Sequence, residues 1–527
     1  MKSLKNIIFT MAAFLLFGCY KDLLTTIPND RISSDIFWQT ESDATLAANG
    51  VYLFMDDVWK YVHWDALSDI GHVTLQWRGE SMIEKGDLNA GYAQDVIRSH
   101  WNDGFAGIQA ANIFLDNVDK VESSNTQLID RLKGEVKTLR AMFYIRLASL
   151  FGDVPLLTKE TTLEESKNLT RTPVSQIWDF ISTELTDAAQ KLPLNQDEVG
   201  RVTRGAALAL KARAMLYAGR YQDAAVAAKA VMDLGVYDLY PSYEKLFTYE
   251  AENCTEVIFD RQYMTNNLPN NIFQLTTPNS IWPQINSFVP TKFAVDAYEM
   301  INGKSIYESD SGFDLKDPYS NRDPRLHYTI YTVGDILLNG KIYDSRPNSG
   351  TADALGYSEN TTATGFNVKK YLNIEDLSNP SNCGINLIMV RYAEILLTYA
   401  EAKIEANQID DSVLDAINKI RKRPDVNMPE IKGVISQSAL RDIVRNERLV
   451  ELAFEGLRYF DIRRWKIAET IVPGIIYGMT YFDEDGYQKT VELPGFMKTF
   501  NKDRDYLWPI PYREIELNPN LVQNPNW

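Results

Sequence analysis

Apolar residues recur every three or four positions along much of this chain, the spacing that gathers them on one face of a helix. The clearest example runs from Arg204 to Tyr217 and, after a turn at Gly219, from Tyr221 to Leu234. Small residues on both segments allow two helices to approach closely, as in a tetratricopeptide helix–turn–helix. The same spacing predicts further helices in segments 42–52, 105–118, 127–151, 174–192, 390–406, 412–421, 442–455 and 457–469.

Other stretches lack this period. Residues 256–384 are rich in Asn, Thr, Tyr, Pro and Gly, and Val257–Phe259 predicts a short strand. Residues 63–100 predict a long ordered loop, and the proline-rich segment 503–527 predicts a largely extended ending. We therefore predict a mainly α fold. In it, scattered tetratricopeptide-like helix pairs form a scaffold that carries a loop-rich insertion with short strands.

The first residues have the pattern of an export signal. Lys2 and Lys5 precede an apolar run, Ile7–Phe17, that is too short to span a bilayer comfortably. Cys19 follows this run in a context that resembles a bacterial lipobox. The resemblance implies removal of residues 1–18 and acylation of Cys19, and several acyl chains together hold a protein stably on a membrane. An ordinary secretory signal with an incidental cysteine is the alternative.

The net charge of −17 at pH 7 argues against nucleic-acid binding, because phosphate groups require a basic surface. It is compatible with a neutral or mildly cationic ligand. Cys254, Cys383 and four scattered histidines give no spacing typical of a metal site, so we expect neither a metal nor another cofactor. The sequence leaves open whether Cys254 and Cys383 form a disulfide, because only their geometry decides this.

The twenty-residue segment Asn446–Trp465 is rich in both charged and aromatic residues. Glu447, Glu451 and Glu455 recur every four residues and form one stripe on a helix. Paired carboxylates can perform acid–base hydrolysis. Arginines three positions away keep such carboxylates ionised, however, which favours a structural ion network over a general acid.

Two other charged motifs also have a structural interpretation. In Arg322–Arg325 the Asp-Pro pair favours a turn that the flanking arginines clamp. Asp310, Asp314 and Asp317 do not follow the EF-hand calcium pattern, and we interpret them as a solvated acidic loop.

Ten motifs follow one another along almost the whole chain. They are Cys19–Asp22, Phe37-Trp38, Leu139–Ala141, Phe151–Pro155, Arg322–Arg325, Ile388–Ala402, Ile417–Arg421, Asn446–Trp465, Leu507–Pro511 and Leu521–Trp527. Together, and in this order, they resemble the SusD/RagB family of lipoproteins from the outer membrane of Bacteroidetes.

The resemblance implies a helical fold built around tetratricopeptide-like pairs. It divides the mature chain into an N-terminal helical region, 19–240, and a C-terminal region, 241–527, within one compact unit. It also implies a lipid-anchored protein on the outer cell surface. Such a protein binds glycans, or in some members peptides, and closes a TonB-dependent transporter of the SusC type like a lid.

Ligand contacts are expected from aromatic and polar residues in irregular regions. A sugar ring stacks on Trp or Tyr, and its hydroxyls pair with Arg or Asp side chains. These criteria select Trp77 and Arg78, with Asp69 upstream, Trp282 in a second irregular stretch and Tyr371 in a third. For each residue, packing within its own loop is the alternative.

The leading hypothesis is a surface lipoprotein that captures oligosaccharides and delivers them to a transporter without catalysis. An oligopeptide-binding protein on the same scaffold is the main alternative. A surface glycosidase is disfavoured because the sequence has no nucleophile motif and no metal cluster. We therefore expect no catalytic residues. A purely structural scaffold is the remaining interpretation, and the aromatic loops argue mildly against it.

Overall fold

The computed structural model describes residues 37–74, 79–88, 95–283 and 286–527. Helices dominate these residues. The helices of the first half are α1 Glu41–Tyr52, α2 Val58–Ala66, α3 Glu80–Glu84, α4 Asp95–Asn117, α5 Thr126–Phe151, α6 Leu163–Ser166, α7 Val174–Lys191, α8 Arg204–Tyr217 and α9 Tyr221–Met232. Those of the second half are α10 Ile272–Thr276, α11 Lys292–Asp296, α12 Arg325–Thr329, α13 Tyr392–Glu405, α14 Asp411–Arg421, α15 Gln437–Glu451, α16 Arg458–Arg464, α17 Ala468–Ile471 and α18 Tyr512–Leu517.

The long helices pack in pairs whose members follow each other closely in the sequence, which confirms the predicted scaffold. Helix α5 packs on α7, α8 on α9, and α13 on α14. Helix α8 is suited to this arrangement because its buried face consists largely of alanines, including Ala207 and Ala212. Helix α9 also packs on α13, so the first half of the chain contacts the second. One core cluster accordingly contains side chains from Trp38 to Leu521.

The strands of the described residues form four antiparallel pairs. They are β1 Gly71–Val73 with β3 Phe288–Pro290, β2 Val257–Arg261 with β6 Leu387–Arg391, β4 Ile330–Tyr331 with β5 Asn367–Val368, and β7 Gly474–Phe482 with β8 Gln488–Lys498. All except β7 (9 residues) and β8 (11 residues) are short. Three of these pairs draw strands from residues 256–384, which agrees with the predicted loop-rich insertion.

Two regions differ from the sequence-based prediction. Residues 63–100 are not one long loop, because α2 extends to Ala66 and β1 and α3 follow it. The side chain of Asp57 caps α2 by accepting a hydrogen bond from Lys60 N, a signal that the sequence contained. Trp64 on this helix is 1% exposed and packs against Trp508 near the other end of the chain, so tertiary packing holds α2 in place.

The β7–β8 hairpin is the other difference, because no strand was predicted there. It lies against the segment around Thr364, where Met479 N donates a hydrogen bond to Thr364 O at 2.7 Å. Gly478 makes this approach possible, since a Cβ at that position would lie 2.2 Å from Thr364 O. The β-branched and aromatic residues of 474–482, followed by a turn at Gly486, were the local signal.

The signature segment lies at the centre of a buried ion network, as predicted, but the arginines three positions from its carboxylates are not their partners. Arg448 pairs with Asp461, and Arg458 pairs with Asp69. Glu451 is fully buried and accepts hydrogen bonds from Arg325 at 2.9 Å, Arg391 at 2.7 Å and Arg423 at 2.8 Å. These guanidinium groups hold the pKa of Glu451 far below its usual value against the opposing effect of burial. The carboxylate row therefore joins α15 to the insertion and to β6.

The other charged motifs have the structural roles expected of them. Arg325 is 1% exposed and bonds Asp323 at 2.7 Å as well as Glu447 at 2.6 Å, so it clamps the Asp-Pro turn. Arg322 instead donates to the carbonyl oxygens of Val295 at 2.8 Å and Tyr298 at 2.6 Å. In the acidic loop, Asp310 is paired with Lys304. Cys254 and Cys383 are free thiols and do not form a disulfide.

Candidate ligand-binding site

A small antiparallel ribbon, β1 with β3, joins two irregular segments that lie far apart in the sequence. Val73 pairs with Phe288, and Thr74 N donates a hydrogen bond to Ser287 O at 2.8 Å. The chain leaves β1 towards Trp77 and enters β3 after Trp282. The ribbon therefore brings the starting point of one candidate segment beside the end of the other.

Polar side-chain atoms without hydrogen-bond partners concentrate beside this ribbon. Among the described residues, such buried atoms include Trp282 Nε1, Asn279 Oδ1, both amide atoms of Asn286, Ser287 Oγ and Thr74 Oγ1. No other described stretch of similar length carries as many. A buried donor or acceptor left unpaired costs roughly 1–3 kcal/mol, and ordered water is the partner that would relieve that cost at atoms buried this deeply.

Hydrogen bonds to Asp353 and Ala352 hold the turn that carries Trp282 in place. Ser280 N donates a hydrogen bond to Asp353 Oδ1 at 2.8 Å, and Asn279 Nδ2 donates to Ala352 O at 2.8 Å. Burial raises the pKa of Asp353, while the hydrogen bonds from Ser280 lower it. The half-buried indole of Trp282 packs on the edge of the core. The site is therefore an aromatic ring on a fixed turn, and the same stretch of chain carries the buried unpaired polar groups of Asn279, Asn286 and Ser287.

Two of the five expected contact residues lie in the interior instead. Tyr371 is 2% exposed, and its hydroxyl lies 3.2 Å from Tyr61 Oη and accepts a hydrogen bond from Ile388 N. Asp69 is 8% exposed, and its two oxygens accept hydrogen bonds from Arg458 at 2.9 and 2.7 Å. A buried ring offers no face for stacking, and a carboxylate held on both oxygens is committed to its ion pair. We therefore do not retain either as a ligand contact.

Trp77, Arg78 and the lipidation residue Cys19 lie outside the described residues. Within the described part of the chain, no three His, Cys, Asp or Glu side chains group as metal ligands do. In that same part, no helix combines the length and apolar character needed to cross a membrane.

Comparison with known proteins identifies the family of this chain. A family model described as the SusD family matches residues 247–527, more than half of the chain. The chain belongs to the SusD family. A second model, described as starch-binding associating with outer membrane, matches residues 41–216.

Several SusD-like proteins resemble this chain over nearly its whole length. A crystal structure of a SusD-like carbohydrate-binding protein from Bacteroides fragilis is 31% identical, with a TM-score of 0.84, and covers 92% of this chain and 100% of its own. A SusD-like protein of Formosa agariphila is 23% identical over 99% of both chains. A surface glycan-binding protein from Bacteroides thetaiotaomicron is 21% identical with a TM-score of 0.70, and this likeness concerns the fold alone.

In this SusD family member, sequence reasoning selected Trp282 but missed the polar residues around it. Asn279 and Asn286 flank Trp282 in the printed sequence, so an asparagine-rich stretch around a tryptophan was the available signal. Thr74 and Ser287 gave no local signal. Only the pairing of β1 with β3 brings them to the site.

Proposed function

We propose that this protein captures saccharides on the outer surface of the cell and delivers them to a TonB-dependent transporter, without catalysing a reaction. The observation that carries the proposal is the half-buried Trp282 ring, which a hydrogen-bonded turn holds at the edge of the core. An aromatic face suits the apolar side of a sugar ring. Membership of the SusD family supports the same reading, because a relative with 31% identity is a carbohydrate-binding protein.

We include Trp77 and Arg78 in the proposed contact surface. Trp77 comes three residues after Thr74, whose backbone is bonded to Ser287 at the edge of the site. Its ring and the neighbouring guanidinium combine stacking with hydrogen bonding in adjacent residues.

The test is affinity electrophoresis of the mature chain on starch, laminarin, xylan, mannan and alginate. Trp282→Ala is expected to weaken binding to the polysaccharide that wild type binds best by about tenfold. Because the indole packs on the core, a melting curve of the variant checks that it is still folded at the assay temperature. Trp282→Phe keeps a ring but removes the indole N–H, so it separates stacking from hydrogen bonding.

Trp527→Ala is the matched control for this test. Trp527 is also half-buried, but its indole N–H is donated to Leu507 O at 3.0 Å, away from the proposed site. Saccharide binding should be unchanged in this variant. If wild type binds none of the polysaccharides but retains tryptic peptides, the oligopeptide alternative replaces the proposal. Turnover of any bound polysaccharide would contradict the non-catalytic role.

Anchoring and delivery belong to the same proposal. Acylated Cys19 would hold the protein at the outer membrane, and a TonB-dependent transporter of the SusC type would be its partner there. Co-purification of such a transporter with the tagged protein from detergent-solubilised outer membranes is the expected result. Recovery of the protein without any transporter would argue against delivery, while leaving saccharide capture intact.

A further inference from the structure

A cleft lies at the end of the β1–β3 ribbon opposite Thr74 and Ser287. Thr291 N donates a hydrogen bond to Ile70 O at 2.9 Å, and beyond it a cleft of about 550 Å³ separates α11 from the β7–β8 hairpin. Thr291 lies four positions along the chain from Ser287, which corresponds to about 13 Å at roughly 3.3 Å per residue. The cleft has the size of a ligand site and is distinct from the turn that carries Trp282.

Exposed aromatic rings gather in this cleft. Of the phenylalanine, tyrosine and tryptophan side chains in the described residues, six are more than a third exposed: Phe293, Tyr307, Tyr357, Tyr477, Tyr487 and Tyr512. Three of the six, Phe293, Tyr307 and Tyr477, line this one cleft. Single exposed apolar residues need no explanation, but several on one concave surface indicate a binding site.

The walls of the cleft are held in position by contacts within the protein. Tyr307 donates its hydroxyl hydrogen to Asp296 at 2.6 Å, and Asp296 is also paired with Lys292. On the opposite wall, Tyr477 of β7 is the cross-strand partner of Glu492 of β8, so both side chains point to the same face of the hairpin. Because these contacts already restrict the side chains, little conformational entropy is lost when a ligand binds.

The charges around the cleft are neutralised, with one exception. Asp69 is paired with Arg458 at 2.7 Å, and the ammonium of Lys498 bonds Glu84 at 3.2 Å and the carbonyl of Gly71 at 2.7 Å. The Glu492 side chain is exposed, and its carboxylate has no hydrogen-bond or ion-pair partner among the described residues. A free carboxylate accepts hydrogen bonds from hydroxyl groups and repels anions, so the cleft suits a neutral ligand rich in hydroxyls.

We propose that this cleft is a second saccharide-binding surface, which takes a neutral sugar between Phe293, Tyr307 and Tyr477 with hydroxyls donated to Glu492. The inference rests on the proposed function, and it adds a second contact for a long polysaccharide. Two linked contacts on one polymer raise its overall affinity above that of either contact alone.

The test applies affinity electrophoresis to the same polysaccharides. The double variant Phe293→Ala/Tyr477→Ala is expected to bind the best neutral polysaccharide about tenfold more weakly, equivalent to about 1.4 kcal/mol, while Trp282 remains in place. Tyr487→Ala/Tyr512→Ala removes two equally exposed tyrosines outside the cleft and should leave binding unchanged. Glu492→Gln keeps the shape of the wall and should weaken binding without altering the melting temperature, which provides a readout that does not depend on the rings.

The outcomes separate the two proposals. If Trp282→Ala weakens binding while the cleft variants do not, the second surface is refuted and saccharide capture stands. Absence of binding to every polysaccharide in wild type refutes both. Loss of tryptic-peptide retention in the cleft variants, with polysaccharide binding unchanged, would show that the cleft takes peptides and would also refute the inference.

Discussion

Replacing Glu451 with glutamine tests whether the signature segment is a structural brace. Gln has nearly the same shape as Glu but lacks its charge. Glu451 is 0% exposed and accepts three charge-assisted hydrogen bonds, from Arg325, Arg391 and Arg423. The change leaves three buried guanidinium groups facing an amide that satisfies them only in part.

The magnitude follows from the geometry of the network. Removing one partner of a buried ion pair costs about 3–5 kcal/mol. Each arginine retains another carboxylate, since Arg325 keeps Glu447, Arg391 keeps Glu455 and Arg423 keeps Glu256. The unfolding free energy of Glu451→Gln should therefore fall by about the value of one buried ion pair, and not by three times that value. Against a typical total of about 5–15 kcal/mol, it is a large part of the stability of the fold.

Urea unfolding followed by tryptophan fluorescence measures this loss, with a second probe to check that the transition is cooperative. Glu164→Gln is the control, because the Glu164 side chain is 81% exposed in its pair with Lys167 and should contribute nothing measurable.

The pH dependence of the unfolding free energy provides a further readout. Because the pKa of Glu451 is lowered on folding, its contribution is present above its unfolded value of 4.5 and is lost as the pH falls. Wild type should therefore lose stability on acidification more steeply than Glu451→Gln.

Two results would refute this reasoning. A loss below about 1 kcal/mol, the value of an exposed pair, would show that the network does not brace the scaffold. Unchanged stability combined with lost saccharide binding would assign the carboxylate row to the ligand instead.

Two more predictions concern single residues. Burial raises the pKa of Asp65 to about 7, although its oxygens accept hydrogen bonds from Gly456 N and Arg458 N at 2.9 Å. Because the folded state holds this proton more tightly, the stabilisation is complete below the unfolded pKa of 3.8 and is lost as the pH rises through about 7. Asp65→Asn should therefore make the slope of unfolding free energy between pH 4 and 7 less negative by about 1.4 kcal/mol per pH unit, and an unchanged slope in urea titrations would contradict the assignment. Cys19→Ala should release the protein from the membrane pellet, and its persistence there after high-salt washing would argue against a lipid anchor.

The helical scaffold could be predicted from sequence because its signal is local. The apolar spacing of 127–151 and 174–192 gave helices that the structure has as Thr126–Phe151 and Val174–Lys191. The charge spacing around Glu451 likewise favoured an ion network, which the structure contains, although the nearby Arg448 and Arg458 pair with Asp461 and Asp69 and not with Glu451 or Glu455. The partners Arg391 and Arg423 were not identified, since they come from distant segments.

The candidate site could be predicted only in part, because exposure is a tertiary property. Trp282 and Tyr371 both occupy irregular stretches of sequence, yet the structure leaves one half-buried beside unpaired polar atoms and places the other in the core. The β7–β8 hairpin was missed, and the cleft between it and α11 depends on its position.

The sequence by itself therefore determined the family, the helical scaffold and the ion-network role of its signature, because each depends on residue types at fixed local spacing. Only the tertiary structure decided which aromatic rings face outward and which distant segments meet at β1–β3. Those properties depend on packing between residues far apart in the chain, such as Val73 and Phe288, for which a single sequence carries no local signal.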